Sequence, residues 1–561
     1  MDDQGFLLAG GTVLDGTGAA PVRVDVRVRS GTIVEMGPGL APGGDRVLDA
    51  SGAYVAPGFI DSHTHLDPSL FWDASCDPMP QHGVTTAIIG NCSLSLAPVR
   101  AEHVAEMSNL FCFIEDVPPG SFAEGVPWDW ETYPEYRRRL ARIPMGIDVG
   151  DLVGHTPLRL WVLGPEAWER SATEDEVATM AGLLDEALTV GASGLSTSIF
   201  DRDATHRPVP SALSDDREIN ALVDVLGRHR KILEFIPEVR SDQFIDDVDR
   251  FAGICGPRGV PLTYNGISCD TSRPGWFARA LDQAETYAAR GVHVYPQISP
   301  RPVDIMANWS GGMSFSYLPA WHRMIQAPHQ EKASLLQSRE WRGQARSEWD
   351  GIESRIIPNR SPDRIRLISV TRPDLEPWVG RSLAELALAR HQHPSDALAD
   401  WVLENDLRPG VMSRAVRNDD TDEVAKAIAH PLSLVSNSDA GAHLNMFCGA
   451  GDSTLLLTAF VRDRGDLSVA QAVHELTGRQ AAVFGLGDRG VLGVGRRADL
   501  AVFDLDELEW GEPVVEPDLP ARGTRLRRPE GRYRFTILGG VPTQVGGELT
   551  GDLPGGPLRA A

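Results

Sequence analysis

The stretch VAPGFIDSHTHLD, residues 55–67, is the most informative part of the chain. Its apolar run predicts a short β-strand, and at the end of that strand His63 and His65 stand two positions apart. Because side chains alternate along a strand, both imidazoles point to the same face and can bind one metal ion. The alternative is that two polar histidines simply face a polar edge of the sheet.

Seven further apolar segments follow this strand, separated by stretches with helical patterns. This alternation predicts a parallel sheet, and eight strands suit a (β/α)8 TIM-like barrel, in which catalytic residues collect at the C-terminal strand ends. One intervening helix is marked by Thr173 as N-cap, Glu176 three residues later and Gly191 at its end. The eight predicted strands lie in FIDSHTHLD, TTAIIGNC, GIDVGDLVGH, ASGLSTSIF, KILEFIPEV, VPLTYNGI, HVYPQISP and LSLVSNSD.

The segments outside the barrel are β-like at both ends of the chain. Residues 1–57 and 486–550 show short apolar strands between Gly-rich turns, and we expect them to form one small β-sandwich. The barrel would then span 58–485, with a helical insertion at about 303–430, after strand seven, that can act as a lid. The Gly- and Pro-rich residues 551–561 are expected to be a loose tail.

The composition is that of a globular, soluble protein. Hydrophobic residues make up 42% and charged residues 23% of the 561 positions, which argues against a disordered or fibrous chain. The net charge of -25 would repel nucleic acids and anionic membranes, so we expect a small-molecule substrate instead. The N-terminus has no secretory pattern and the six cysteines are scattered, which favours the cytoplasm.

Two more residues at predicted strand ends can complete a metal site. Cys92 ends TTAIIGNC, where a thiolate can reach an ion held by the histidines. Asp439 ends LSLVSNSD, where a carboxylate can bind the metal weakly and take a proton from water. A buried structural cysteine and a helix N-cap are the respective alternatives.

Five motifs together resemble the N-acyl-D-amino-acid deacylase (D-aminoacylase) branch of the amidohydrolase superfamily. The resemblance covers nearly the whole chain, and it implies a metal-binding barrel capped by a β-sandwich. It also implies that His63, His65, Cys92 and Asp439 form the metal centre. The motifs are VAPGFIDSHTHLD, HGVTTAIIGNCSLSLAP, LVGHTPLR, SNSDAGAH and GVLGVGRRADLAVFD.

The sequence departs from the pattern of that family at strands five and six. The family places a histidine at the end of each, whereas this chain has Glu238 in EVRSD and Asn265 or Gly266 in VPLTYNGIS. Two imidazoles for a second ion are therefore missing, and we expect one Zn²⁺ rather than two. Glu238 can act as a ligand, bind substrate or pair with Arg240.

Three other residues are candidates for contacts with the substrate. His155, at the end of strand three, can polarise the scissile carbonyl, and His443 lies near Asp439 in the sequence. Arg301 can pair with a substrate carboxylate, unless it forms a surface salt bridge. The aromatic residues of the insertion can line an acyl pocket or form its own core; they are Trp309, Phe315, Tyr317 and Trp321.

These features predict a metal-dependent amidohydrolase acting on carbon–nitrogen bonds other than peptide bonds. Metal-activated water would attack the amide of an N-acyl amino acid or related N-acyl compound, with Asp439 transferring the proton. The alternatives are another acyl, cyclic imide or lactone substrate, carbon–carbon cleavage, or a barrel that binds without catalysis. A homo-oligomer is also possible.

Overall fold

A parallel sheet of eight strands forms the centre of the computed structural model, which describes residues 5–351, 361–436 and 438–558. The strands are hydrogen-bonded in sequence order, so each pairs with its predecessor and its successor. The sequence prediction of an eight-stranded parallel sheet is thereby confirmed. The strands are Phe59–Asp61, Val84–Ile89, Asp148–Gly154, Gly194–Ser198, Ile232–Ile236, Leu262–Tyr264, Val294–Ile298 and Leu434–Val435.

The two edges of this sheet meet just beyond the first and last strands. The Asp439 N–H donates to the His63 carbonyl at 3.2 Å, and the His65 N–H donates to the Ala440 carbonyl at 2.8 Å. A parallel bridge joins Thr64 to Ala440. The sheet therefore curls around, and the segments after strands one and eight lie side by side; we call it the barrel sheet.

Helices connect the strands of the barrel sheet. Glu174–Thr189 begins with the predicted capping box, in which the Thr173 hydroxyl accepts from the Glu176 N–H and the Glu176 carboxylate accepts in return. None of the described helices is long and apolar enough to cross a membrane. Apart from the five helices of the long connection described below, the α-helices are Val104–Ile114, Pro119–Gly125, Tyr133–Leu140, His155–Leu163, Glu174–Thr189, Asp216–His229, Gln243–Cys255, Trp276–Ala288, Thr421–Ile428, Asp452–Leu455, Val469–Leu476 and Gly478–Phe484, with a π-helix at Leu456–Asp463.

The N- and C-terminal segments pair with each other outside the barrel sheet. Tyr54–Pro57 runs antiparallel to Leu500–Phe503, and apolar side chains from both segments share one core that includes Val28 and Ile537. A seven-stranded sheet contains Val22–Arg23, Thr12–Val13, Tyr54–Pro57, Leu500–Phe503, Phe535–Leu538, Val541–Val545 and Glu548–Leu549; a four-stranded sheet contains Thr32–Gly37, Asp25–Arg29, Phe6–Ala9 and Arg46–Asp49; and Val514–Glu516 pairs with Arg525–Arg527.

The long connection after strand seven has a core of its own. Its α-helices are accompanied by a three-stranded antiparallel sheet that the prediction of a helical insertion did not include. Trp309, Phe315 and Trp321 belong to this separate core. Tyr317 instead packs against the large core that surrounds the barrel sheet. The strands are Val303–Met306, Ile365–Ser369 and Gly410–Arg417, and the helices are Pro319–Gln326, His329–Gln337, Arg339–Gly351, Leu383–Arg390 and Pro394–Glu404.

The end of the chain is docked, in contrast to the predicted loose tail. The Leu558 N–H donates to the Val149 carbonyl at 2.8 Å, and Gly555 pairs with Met145. The Leu558 side chain is buried in one cluster with Ile88 and other apolar residues of the barrel sheet. Apolar burial and strand-like pairing overcome the Gly- and Pro-rich composition; residues 559–561 lie outside the described chain.

We expect Leu558→Ala to lower the free energy of unfolding by about 2–3 kcal/mol, because it removes buried methyl groups from a packed cluster. Urea denaturation followed by circular dichroism measures this. Leu388→Ala is the matched control, since Leu388 is 77% exposed. Equal midpoints for the two variants would show that the end of the chain does not contribute to stability.

Candidate active site

Three of the four predicted metal ligands come together at the C-terminal edge of the barrel sheet. His63 and His65 follow strand one, and Cys92 follows strand two after the turn at Gly90, where φ is +76°. One potential ligand atom from each residue lies within 4.8 Å of the others, and all three residues are buried. The His63 Nε2 to Cys92 Sγ distance is 3.2 Å.

The fourth predicted ligand, Asp439, approaches the same nitrogen of His63 as Cys92 does. Its Oδ1 is 3.4 Å from His63 Nε2. Ligand atoms bound tetrahedrally to zinc at 2.0–2.3 Å are roughly 3.3–3.8 Å apart, so the observed spacing is close to that of one ion's shell. Asp439 adopts φ of +55° and Cys92 φ of +56°, a left-handed conformation that non-glycine residues adopt mainly where the surroundings enforce it.

Burial controls the protonation of these groups. It lowers the pKa of His63 to about 3 and that of His65 well below its usual range, so both imidazoles are neutral and can donate a lone pair. Burial also raises the pKa of the Cys92 thiol, with the Glu234 carboxylate adding to the effect. A cation at this position would favour the thiolate, as metal binding to cysteine requires.

Asn265, which directly follows strand six, lies beside this cluster. Its Nδ2 lies 3.3 Å from His63 Nε2 and 3.6 Å from Cys92 Sγ. The Oδ1 of the same amide is buried and has no hydrogen-bond partner in the described chain. The amide thus contacts two potential ligands and keeps one oxygen free for a further contact.

A cavity of 170 Å³ opens beside the cluster. A larger cleft of 600 Å³ lies beyond residues 112–117, but none of the predicted metal ligands lines it. The chemistry therefore belongs to the smaller cavity. Its wall includes His65, Cys92, Ile114, Glu115, Phe200, Asp201, Ile236, Val239, Asn265, Ile267, Arg301, Val303, Met313, Tyr317, Arg417, Asp439, His443 and Phe447.

Arg301 is buried in the wall of this cavity, so the alternative of a surface salt bridge is wrong. Its Nε donates to Asp452 Oδ1 at 3.0 Å and its Nη2 to the Ser438 carbonyl at 3.1 Å. The guanidinium stacks over Phe447, 4.7 Å from the ring centroid. Its Nη1 is buried without a partner in the described chain.

His443 lies in the same wall. Its backbone N–H donates to the Glu115 carbonyl, and its ring lies 5.0 Å from that of Phe447. Burial lowers the pKa of His443 to about 4, so the ring is neutral. Its Nδ1 has no protein partner among the described residues.

Comparison with known proteins agrees with this geometry. The sequence model of the amidohydrolase family matches residues 46–229 and 365–544, which is more than half of the chain. The chain belongs to the amidohydrolase family. An uncharacterized protein of Mycobacterium tuberculosis is 32% identical to this amidohydrolase, over 99% of this chain and 93% of the relative.

Several relatives that match most of the chain are named as deacylases. The N-acyl-D-aspartate deacylase of Alcaligenes xylosoxydans is 28% identical, over 89% of this amidohydrolase and 85% of the relative. The crystal structure of N-acyl-D-glutamate deacylase from Bordetella bronchiseptica, complexed with zinc and a phosphonate inhibitor, has a TM-score of 0.68 at 24% identity and covers 99% of both chains. The predicted resemblance to the deacylase branch is confirmed, and the structural match shows a shared fold.

Of the roles expected for Glu238 from the sequence, the structure shows the pairing with Arg240 and not a contact with the cavity of this amidohydrolase. Arg240 in turn lies over Phe200, 5.0 Å from the ring centroid. The neighbouring Val239 lines the cavity; residues 237–240 follow the end of strand five and form a turn, so strand alternation does not apply to them.

His155 does not face the cavity either, which contradicts the predicted contact with the scissile carbonyl. Its Nδ1 bonds to Thr197 Oγ1 at 2.9 Å and its Nε2 to Glu218 Oε1 at 2.6 Å. Glu218 also pairs with the buried Arg159. With both ring nitrogens occupied by buried partners, His155 has no lone pair or N–H left for a substrate.

Sequence reasoning missed three acidic residues near the metal ligands. Glu115 Oε1 lies 3.4 Å from His65 Nδ1, Asp201 lines the cavity, and Glu234 accepts a hydrogen bond from the Cys92 N–H at 3.0 Å. Asp201 follows the end of strand four, and Glu234 is the one charged residue within the apolar strand ILEFI. Both positions could therefore have been recognised as candidate site residues from the sequence. Glu115 ends a helix in a connecting segment, where no strand pattern marks it.

The structural role of His155 can be tested through its partner. We expect Glu218→Gln to lower the free energy of unfolding by about 3 kcal/mol, because it leaves the Arg159 guanidinium buried without a counter-charge. Metal content should not change. The measurements are urea denaturation and elemental mass spectrometry, with Glu174→Gln at an exposed position as control. Unchanged stability with lost turnover would restore a catalytic role for His155.

Proposed function

We propose that this amidohydrolase hydrolyses the amide bond of an N-acyl amino acid and uses one zinc ion. The observation that carries the proposal is the convergence of His63, His65, Cys92 and Asp439 on a cavity whose wall contains the buried Arg301. The zinc-containing N-acyl-D-glutamate deacylase with the same fold supports the assignment.

The donor set fits a divalent metal ion. His63, His65 and Cys92 would hold it, and Asp439 would complete the shell. Within residues 5–351, 361–436 and 438–558 this is the one cluster of three such donors, which favours one ion over two. A bound ion supplies Lewis acidity, which lowers the pKa of water and polarises an amide carbonyl.

Asp439 moves the proton in the proposed reaction. Burial raises the pKa of its carboxyl group to about 7, and the charge of a bound cation would lower that pKa, so the group would start as a carboxylate at neutral pH. As carboxylate it accepts a proton from the attacking water, and as acid it donates that proton to the leaving nitrogen. The products are a carboxylate and an amine.

Arg301 and His443 orient the substrate. The free Nη1 of Arg301 can donate to the carboxylate of the N-acyl amino acid, while Asp452 fixes the guanidinium from behind. The neutral imidazole of His443 can hydrogen-bond to the acyl oxygen. These contacts place the scissile amide beside the metal ligands.

The finer architecture belongs to the same proposal. Residues 1–57 and 486–550 would form one β-sandwich, 58–485 a closed (β/α)8 barrel, and about 303–430 an insertion that covers the cavity. The insertion contributes Val303, Met313, Tyr317 and Arg417 to the cavity wall, which supports this role. A cytoplasmic location and a homo-oligomer stay predictions.

Metal content and turnover of the purified protein test the function. We expect about one zinc per chain by elemental mass spectrometry, and hydrolysis of at least one member of a panel of N-acetyl-D- and N-acetyl-L-amino acids. No metal, and no turnover after addition of zinc, manganese or cobalt, would favour a barrel that binds without catalysis. Metal with turnover of cyclic imides or lactones alone would redirect the substrate assignment.

Two variants separate metal binding from proton transfer. We expect Asp439→Asn to lower kcat roughly 10²–10⁴-fold, the range for loss of a general acid–base. His63→Ala should lose both metal and turnover, because it removes a ligand. His329→Ala is the control, since this histidine is exposed. Wild-type turnover in Asp439→Asn would remove Asp439 from the mechanism.

A further inference from the structure

The outer cleft, which is the hollow of 600 Å³ beyond residues 112–117, has no part in the proposed function. Its volume lies within the range of about 300–1,000 Å³ that is typical of pockets for small molecules. We propose that it is a second binding site, which takes a small organic molecule with a primary ammonium group. The carboxylate of Asp116 binds the ammonium group, and apolar side chains of the wall cover the rest of the molecule.

Asp116 is a buried acidic residue in the wall of the outer cleft, with 2% of its surface exposed. Its Oδ1 accepts a hydrogen bond from Asn308 Nδ2 at 2.7 Å, which holds the carboxyl group in place. Its Oδ2 is buried and has no hydrogen-bond partner within residues 5–351, 361–436 and 438–558. Since a buried carboxylate oxygen without a partner is costly, a ligand that donates a hydrogen bond to Oδ2 stabilises the site.

The pKa of Asp116 reflects the same burial. Burial raises this pKa to about 7, and the Asn308 amide and the backbone N–H of Asn445 offset the rise only in part. A cation beside the carboxyl group would lower the pKa again, because it favours the charged form. The carboxyl group is therefore suited to a positively charged ligand and not to an anion.

Two arginines line the outer cleft, and neither bonds to Oδ2 of Asp116. Arg207 pairs with Asp203 at 2.8 Å, and Arg522 is exposed. The wall also contains Glu106, whose Oε2 is buried without a hydrogen-bond partner among the described residues. A cationic ligand would thus be attracted by two carboxylates, and an anionic ligand would be repelled by them.

The rest of the wall indicates an organic cation rather than a metal ion. Leu110, Phe113 and Val117 are buried in this wall and offer apolar surface, with Trp168 beside them. Metal ions such as Ca²⁺ and Mg²⁺ need several oxygen ligands, whereas an ammonium group with an apolar body suits one carboxylate beside apolar side chains. An ammonium is also favoured over a guanidinium, which binds best to both oxygens of a carboxylate.

The outer cleft and the cavity beside the metal ligands share a wall. In the segment 112–117, Phe113 and Asp116 line the outer cleft, whereas Ile114 and Glu115 line the cavity. A ligand of the outer cleft therefore contacts other side chains than the substrate does. Binding there depends on Asp116 and not on the carboxylates of the cavity, and substitutions can separate the two sites.

Three ligands of matched shape test the charge preference of the purified zinc-loaded protein. We expect 2-phenylethylammonium to bind once per chain at pH 8 in isothermal titration calorimetry. Its affinity should exceed that of neutral 2-phenylethanol at least about tenfold, because it alone forms a charge-assisted hydrogen bond. Equal affinity for the alcohol, tighter binding of phenylacetate, or no binding of the amine at millimolar concentration would overturn the proposal. Displacement of the amine by stoichiometric Mg²⁺ would also overturn it, because the site would then be a metal site.

Isosteric substitution of Asp116 tests the position of the site. We expect Asp116→Asn to weaken binding of 2-phenylethylammonium at least about tenfold and to leave binding of 2-phenylethanol unchanged, because it removes the charge alone. Asparagine keeps the oxygen that Asn308 contacts and tolerates the φ of +49° at this position. Glu106→Gln should weaken binding of the amine by a smaller factor, and it gives a second readout if Asp116→Asn folds poorly.

Two control variants keep the result specific to the outer cleft. Glu124→Gln removes an exposed carboxylate from the helix Pro119–Gly125 and should not change the affinity for the amine. Asp201→Asn removes a carboxylate from the cavity beside the metal ligands and should not change it either. The thermal midpoint of each variant shows whether it is folded. Unchanged affinity in folded Asp116→Asn and Glu106→Gln, or an equal loss in Asp201→Asn, would overturn the proposal.

Discussion

The site depends on the junction between the two edges of the barrel sheet. The backbone bonds from Asp439 to His63 and from His65 to Ala440 place the ends of strands one and eight side by side. A Cβ at Gly441 would lie 2.7 Å from the His65 carbonyl carbon, so only glycine allows this approach. Residues separated by more than 370 positions thereby share one potential ion.

Burial gives this junction its chemical character. Desolvation keeps the imidazoles neutral and raises the pKa of the Asp439 carboxyl to about 7, whereas Arg301 pairs with Asp452. The same desolvation makes it costly in free energy to bury a charged or polar group without a partner. Polar atoms of the cavity wall that lack a partner are therefore candidates for contacts with a bound molecule. Nη1 of Arg301 and Nδ1 of His443 are two such atoms, and for this reason the proposed function assigns them the contacts with the substrate.

Strand-end positions made much of the fold and of the metal cluster predictable. His63, His65 and Cys92 could be found because period-two alternation and parallel topology bring such positions to one edge. The same rule failed for His155, whose partner Glu218 comes from the helix Asp216–His229, 63 positions away in the sequence. A sequence pattern indicates at which strand end a residue lies. It does not show which buried partner its side chain will contact in the folded protein.

Other errors have related causes. Composition suggested a loose end, but Leu558 is held by backbone pairing that no local pattern shows. The strands at Val303–Met306, Ile365–Ser369 and Gly410–Arg417 are far apart in the sequence and sit among helices, so their sheet was not recognised. Glu115 lies in a connecting segment, where only the tertiary fold brings it to His65. In each case the decisive contact joins residues that are far apart in the sequence, so no local pattern could reveal it.

The cavity wall is built from two parts of the chain, the segments after the strands of the barrel sheet and the insertion. The potential metal ligands follow strands one, two and eight, whose positions are fixed by the sheet. Met313, Tyr317 and Arg417 come from the insertion, which has its own core and can vary without disturbing the sheet. The predicted metal ligands and part of the cavity wall therefore come from separate parts of the chain. In the proposed function, wall residues such as Met313 can change while the groups that act on the amide remain in place.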